Sequence, residues 1–279
     1  MIVYSEIASL KKSINSLKKD STIGFVPTMG ALHKGHLSLI KKAVKENDVV
    51  VVSIFINPTQ FDKKEDLKNY PITLEKDLTL LKSVNCDIVF TPNSKEIYGK
   101  NEVSDTFDFD GLEFQMEGKF RKGHFNGVAT IVKRLFEIVT PTNAYFGEKD
   151  FQQLQIIKKL VAKQKLKVNI IGCEIFREPD GLAMSSRNVR LSKTQRLAAP
   201  FIYKTLLSAK KLFGTKNANE VVKWVENEFN NHPILELEYF EIADEETLKP
   251  TKKTISGHKY RAFIAVFAGK IRLIDNISI

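Results

Sequence analysis

The run DVVVVSIFIN, Asp48 to Asn57, decides the fold. Its β-branched residues are continuous. They show neither the alternation of a half-exposed strand nor the 3.6-residue spacing of an amphipathic helix. The run therefore predicts a strand buried on both faces, as in the interior of a parallel sheet, stopped by Pro58. Upstream, STIGFVPT predicts a strand ending at Pro27, and from His36 the positions Leu37, Ile40, Ala43 and Val44 mark one helical face. Downstream, the spacing predicts a helix over 74–81, a strand at CDIVFTP, and a helix striped by Val128, Ile131, Val132, Leu135, Phe136 and Val139 that ends before Pro141. A strand at NAYFG, a helix through Leu154, Ile157, Leu160 and Val161, and a strand at VNIIGCEIF complete the series. Alternation of this kind predicts an α/β, Rossmann-like, doubly wound parallel sheet over residues 1–175, with right-handed crossovers.

The texture changes after residue 175. A loop rich in Gly, Pro and Ser, REPDGLAMSSRN, leads into helical patterns at 194–213 and 218–230, followed by the strand-like runs LELEYFEIA, YRAFIAVFA and IRLIDNISI. These predict a second, smaller α+β domain over 176–279 that carries this loop at its start. No internal repeat or low-complexity tract interrupts the chain.

Composition narrows the function classes. The 279 residues are ordinary globular material, and no apolar run approaches the roughly 18 residues of a membrane helix. Cys86 and Cys173 lie far apart in sequence, with no metal-ligand spacing, and no secretory segment opens the chain; a reducing, cytoplasmic setting is expected. The net charge of +10 attracts anions in general. The lysines are dispersed as pairs such as Lys41-Lys42 and Lys158-Lys159, which read as solvated helix faces. They form no basic stripe with interleaved aromatics, so nucleic acid is not the expected partner.

Several stretches could carry chemistry. In MGALHKGH, Met29 to His36, Gly30 suits a left-handed turn and Gly35 a close approach. His33 and His36 sit where a helix begins, a place whose free N–H groups favour anions. Metal binding, phosphate contact and a plain turn are all open to that pair. DGLAMSSRN offers Ser185, Ser186 and the always-charged Arg187 to phosphate oxygens, or merely caps a helix. FGEKDFQQLQ places Lys149 at the ligand edge of the sheet, with Asp150 as a helix cap and Gln152 and Gln153 as uncharged polar groups facing a site. FINPTQF and EGKFRKGHFNG put Asn57, Gln60, Arg121 and His124 on loops at the same edge. No Ser–His–Asp or Cys–His arrangement calls for a covalent intermediate.

Taken together and in order, PTMGALHKGH, SIFINPTQF, GHFNGVATIVKRLF, FGEKDFQQL, DGLAMSSRN and RLIDN resemble the pantoate–β-alanine ligases, a family of the HIGH-type nucleotidyltransferases. The resemblance runs through most of the chain from Phe25 and is least specific over 194–250. It implies an ATP-dependent ligase of pantothenate and coenzyme A biosynthesis. Pantoate's carboxylate attacks the α-phosphate of ATP, and β-alanine's amine then attacks the resulting pantoyl adenylate, releasing AMP. Carried over by motif, His33, His36, Lys149 and Arg187 would be catalytic. Met29, Gly30, Ala31, Leu32, His33, Lys34, Gly35, His36, Gly147, Glu148, Lys149, Asp150, Phe176, Met184, Ser185, Ser186 and Arg187 would bind ATP. Gln60, Gln153, Asn57, His124 and Arg121 would bind pantoate and β-alanine. Mg²⁺ would accompany ATP, with Asp77 a candidate for helping to hold it, and a homodimer is expected. One position departs from the family pattern: Arg190 stands where an aromatic residue is frequent. The rival readings are another HxGH enzyme such as a cytidylyltransferase, and a basic RNA-binding module. The uncharged Gln60 and Gln153 argue against the first, since a site for phosphocholine would want charges.

Overall fold

The computed structural model describes residues 1–62, 64–252 and 255–279. Six parallel strands form the main sheet: β1 (Ile2–Tyr4), β2 (Ile23–Thr28), β3 (Val49–Ile54), β4 (Ile88–Phe90), β5 (Asn143–Gly147) and β6 (Asn169–Cys173). Their order is β1-β4-β3-β2-β5-β6. From β2 the chain moves outward through β3 to β4, then crosses back to β5 on the other side of β2. That reversal is a topological switch point, where an open parallel sheet leaves a crevice beyond its carboxyl ends.

Both faces of the sheet are covered, as the unbroken apolar run at 49–52 requires. Phe25, Val51, Phe90, Ala144 and Phe146 face a core shared with helices Ile7–Asn15, His124–Val139 and Phe151–Lys163. Their neighbours Val26, Val50, Val52, Val89 and Tyr145 face helices Lys34–Glu46 and Leu74–Lys82. Each fully buried large side chain of this kind contributes roughly 1.5–3 kcal/mol. Gly127 lets helix His124–Val139 approach the 3₁₀ turn Pro58–Gln60 closely; a Cβ there would stand 2.4 Å from the Thr59 carbonyl.

The structure corrects three local expectations and adds one strand. Pro27 lies inside β2, because the β2–β5 pairing ends at Phe25 and no ladder bond to β5 is needed from its missing N–H. The edge strand β1 is present although its three residues are too short for any periodicity to register. Pro200 divides the helical pattern at 194–213 into Lys193–Ala198 and Phe201–Phe213. Asp150 precedes helix Phe151–Lys163 but its carboxylate caps none of the helix N–H groups.

The C-terminal strands β7 (Leu235–Asp244), β8 (Tyr260–Ala268) and β9 (Ile271–Ser278) form an antiparallel sheet with β8 in the middle. Helices Phe201–Phe213 and Ala218–Asn230 cover one face. From the other, Ala243 and Phe263 join the core of the parallel sheet, and Phe263 packs on Phe151 with ring centroids 5.9 Å apart. Polar ties cross the same junction. The Arg177 guanidinium grips Asp275 through two nitrogens at 2.6 and 2.9 Å. No helix among the described residues is long and apolar enough to cross a membrane.

Candidate active site

A cleft opens at the switch point, beyond the ends of β2, β3, β5 and β6. The first wall is the turn after β2. Gly30 takes φ +79° and Ala31 φ +49°, and Asp77 holds the turn in place. Its two carboxylate oxygens accept the Ala31 and Leu32 N–H groups at 3.0 and 2.8 Å, and Thr73 donates to it as well. Asp77 is 1% exposed. Its oxygens are engaged by two backbone N–H groups and a hydroxyl, so in this structure it braces the loop.

Helix Lys34–Glu46 starts immediately after this turn. His33 and His36 stack with ring centroids 4.0 Å apart, and the His33 N–H donates to Nδ1 of His36 at 3.3 Å. That bond leaves the His36 proton on Nε2. Burial, reinforced by Lys149, pushes the His33 imidazole down to about 4. Burial, then the His33 ring and Lys149, push His36 down to about 3. Both rings are therefore neutral at pH 7. Gly35 makes room for the pair, since a Cβ there would lie 3.0 Å from the His33 ring.

Lys149 follows β5 and its Nζ lies 3.9 Å from Asp150. Its backbone is positioned from the far sheet: the Asn276 side-chain amide donates to the carbonyls of Glu148 and Lys149, both at 2.9 Å. Asp275 and Asn276 give the motif RLIDN its structural meaning.

The opposite wall is the loop after β6. Met184 N–H bonds the Phe176 carbonyl at 3.0 Å, and Arg177 bridges to Ala183 around a turn at Gly181. The two signature loops touch, for Ser186 donates its hydroxyl to the Ala31 carbonyl at 3.0 Å. Arg187 lies over Tyr70 and pairs with Asp66 at 2.7 Å.

A polar cluster closes the remaining side. His124 Nδ1 meets the Gln60 carbonyl at 2.8 Å, so Nδ1 donates and Nε2 is left to accept from Arg121 at 3.1 Å. Burial and the Arg121 charge push His124 down to about 4. Asn57 is 1% exposed and donates to the Gln60 Oε1 and the Gly127 carbonyl, which fixes the Gln60 amide. Gln153 lines the cleft, while its neighbour Gln152 is turned away, donating to the Leu112 and Gln115 carbonyls and accepting the Glu117 N–H.

The expected residues are thus mostly gathered. Met29, His33, Gly35, His36, Asn57, Gln60, Arg121, His124, Gly147, Lys149, Asp150, Gln153, Phe176 and Met184 through Arg187 line one cleft. Gly30 and Ala31 shape the turn. Leu32 is buried in the core, Lys34 is exposed on the helix, and Glu148 points to Arg261 at 3.5 Å. Tyr70, Phe61 and the helix stripe at Val128, Ile131, Val132 and Leu135 also line the cleft. Sequence pattern marks that stripe only as core, because an apolar site floor and a core face share one periodicity.

Comparison with known proteins agrees along the whole chain. The Flavobacterium psychrophilum pantothenate synthetase is 58% identical over 281 residues, covering all of both chains. That of Christiangramia forsetii is 57% identical, over 100% of this chain and 99% of the relative. Among solved structures, pantothenate synthetase from Thermus thermophilus superposes with a TM-score of 0.92 at 40% identity, over 99% of both chains. The pantoate–β-alanine ligase from Francisella tularensis, crystallised with β-γ ATP and β-alanine, gives 0.82 at 38% identity, over 100% of this chain and 97% of that one. The pattern of the pantoate–β-alanine ligase family matches residues 2–278, and with the fold and cleft in agreement the chain belongs to that family.

Proposed function

We propose that the cleft joins pantoate to β-alanine at the expense of ATP, with its two loops acting on the phosphates and its polar cluster on the small substrates. The observation that carries this reading is the gathering of His33, His36, Lys149, Ser185, Ser186 and Arg187 around one cleft that also holds the uncharged amides of Gln60 and Gln153. In the first step a pantoate carboxylate oxygen attacks the α-phosphorus and the bond to pyrophosphate breaks. In the second, β-alanine's amine attacks the acyl carbon, loses a proton and expels AMP. Such displacements need alignment and charge stabilisation more than a covalent nucleophile.

Each group has a job that fits its state. His36 presents Nε2–H as a neutral donor to a phosphate oxygen, and His33 works beside it. Lys149 and Arg187 supply fixed positive charge as pyrophosphate leaves. Gln60 and Gln153 hydrogen-bond pantoate without repelling its carboxylate. Arg121, braced by Asp62 at 3.5 Å and Glu117 at 3.8 Å, takes a substrate carboxylate beside Gln60. Among the described residues no group of three or more His, Cys, Asp or Glu side chains can hold a metal ion. Mg²⁺ would accompany the nucleotide, held mostly by phosphate oxygens and water as is usual for this ion. A homodimer, a cytoplasmic setting suited to the free, buried Cys86 and Cys173, and a domain boundary near residue 175 belong to the same reading.

The test is an assay with ATP, pantoate and β-alanine that follows pyrophosphate and AMP. Pyrophosphate is expected with ATP and pantoate alone, and AMP release to follow β-alanine. No pyrophosphate at any pantoate concentration would overturn the proposal.

A further inference from the structure

Asp66, on the short helix Lys64–Lys68, touches the loop after β6 twice. Its Oδ2 accepts from Arg187 Nη2 at 2.7 Å and its Oδ1 from Arg190 Nη1 at 3.2 Å. One carboxylate therefore serves two guanidiniums, with the three side chains similarly part-exposed. Burial pushes the Asp66 carboxyl up, but the two guanidiniums outweigh it and hold the group below the usual carboxylate range. The arginines are not equivalent: Arg187 lines the cleft and Arg190 does not. The segment that carries Asp66 also supplies Tyr70, a buried wall residue of the cleft with Arg187 6.0 Å above its ring.

We propose that Arg190 is a positioning residue for ATP use, holding Asp66 neutralised and its segment docked while Arg187 passes from Asp66 to the phosphates. The proposal rests on the reading of Arg187 as a phosphate ligand. Without Arg190, the departure of Arg187 would leave Asp66 with no cationic partner among the described residues. The bare carboxylate would stand near the incoming triphosphate, repel it, and compete with it for Arg187. Arg190 has no other ion-pair partner among the described residues and can stay on Oδ1 throughout. Arg187 is the mobile cation of the pair, and Arg190 the fixed one.

Steady-state kinetics on the full chain test this, with ATP varied at saturating pantoate and then the reverse. Arg190→Ala is expected to raise the KM for ATP roughly three- to tenfold, the range expected for a part-buried charged hydrogen bond, while kcat and the KM for pantoate hold. Arg190→Lys should restore most of the loss, because it returns the charge. In an Asp66→Asn background Arg190→Ala should have no further effect, since no carboxylate remains to be neutralised. Arg190→Gln, similar in length but uncharged, serves in place of Ala if that variant fails to fold. An unchanged KM for ATP, an equal rise for pantoate, or the same loss in the Asp66→Asn background would each overturn the proposal. Absence of pyrophosphate formation by the unaltered chain would instead overturn the reading of the site.

Discussion

The two walls of the cleft are built by different physics. The turn from Met29 to His36 is held by buried hydrogen bonds to Asp77, by left-handed backbone at Gly30, and by stacked neutral imidazoles. Beyond the pair of Arg177 with the buried Asp275, the loop from Glu178 to Arg190 is held largely by charge at part-exposed positions: Arg187 and Arg190 on Asp66, and Arg196 on Glu178 and Asp180 at 2.6 Å each. Water competes poorly for the first set of bonds and well for the second. One wall is preorganised, and the other rests mostly on bonds that water can replace.

The comparison can be broken from the rigid side. His36→Ala should slow pyrophosphate formation roughly 10²- to 10³-fold while the variant still folds, as for the loss of a preorganised donor. An unchanged rate would remove His36 from the chemistry. Next in size is Asp77→Ala, which strands the Ala31 and Leu32 N–H groups and should cost about 2–4 kcal/mol in urea unfolding. An unaltered midpoint, or a changed Mg²⁺ requirement without loss of stability, would contradict its role as a brace.

Acid should separate the walls further. His33, His36 and His124 are held at about 4, about 3 and about 4 in the folded chain, below the ordinary 6.5. Between pH 6.5 and about 4 the unfolded chain binds more protons at these sites. Stability therefore falls as pH falls through that window and is fully present above it. Thermal unfolding across this range should show the slope, and His33→Asn should flatten it; a slope indifferent to that change would place its origin elsewhere. The smallest effect belongs to the loop. Arg196→Ala should alter stability by no more than about 1 kcal/mol. A larger loss would mean the loop is as firmly built as the turn.

Much of this was legible in the sequence. The run at 49–52 has no polar face to offer, so only a sheet covered on both sides accommodates it. The stripe in helix His124–Val139 and the three C-terminal strands followed from period alone. Strand β1 was not legible, because its pairing with β4 comes from a segment 84 or more residues away and three residues carry no period. The hydrogen bonds of Asp77 were not legible for a related reason. A carboxylate on a helix announces a charge, but whether it meets a cation or two N–H groups depends on the loop that packs over it.

Local chemistry in the sequence determined the residue types of the site and the class of fold: glycine where backbone must turn left-handed, β-branched runs where both faces are buried, histidine, lysine and arginine where an anion is expected. Tertiary structure alone decided which of those residues share one cleft. Only packing sets burial, and burial keeps the histidines neutral. Only the return of β9 to the end of β5 puts Asn276 on the carbonyls of Glu148 and Lys149. Only the meeting of two distant segments gives Asp66 two arginines to hold.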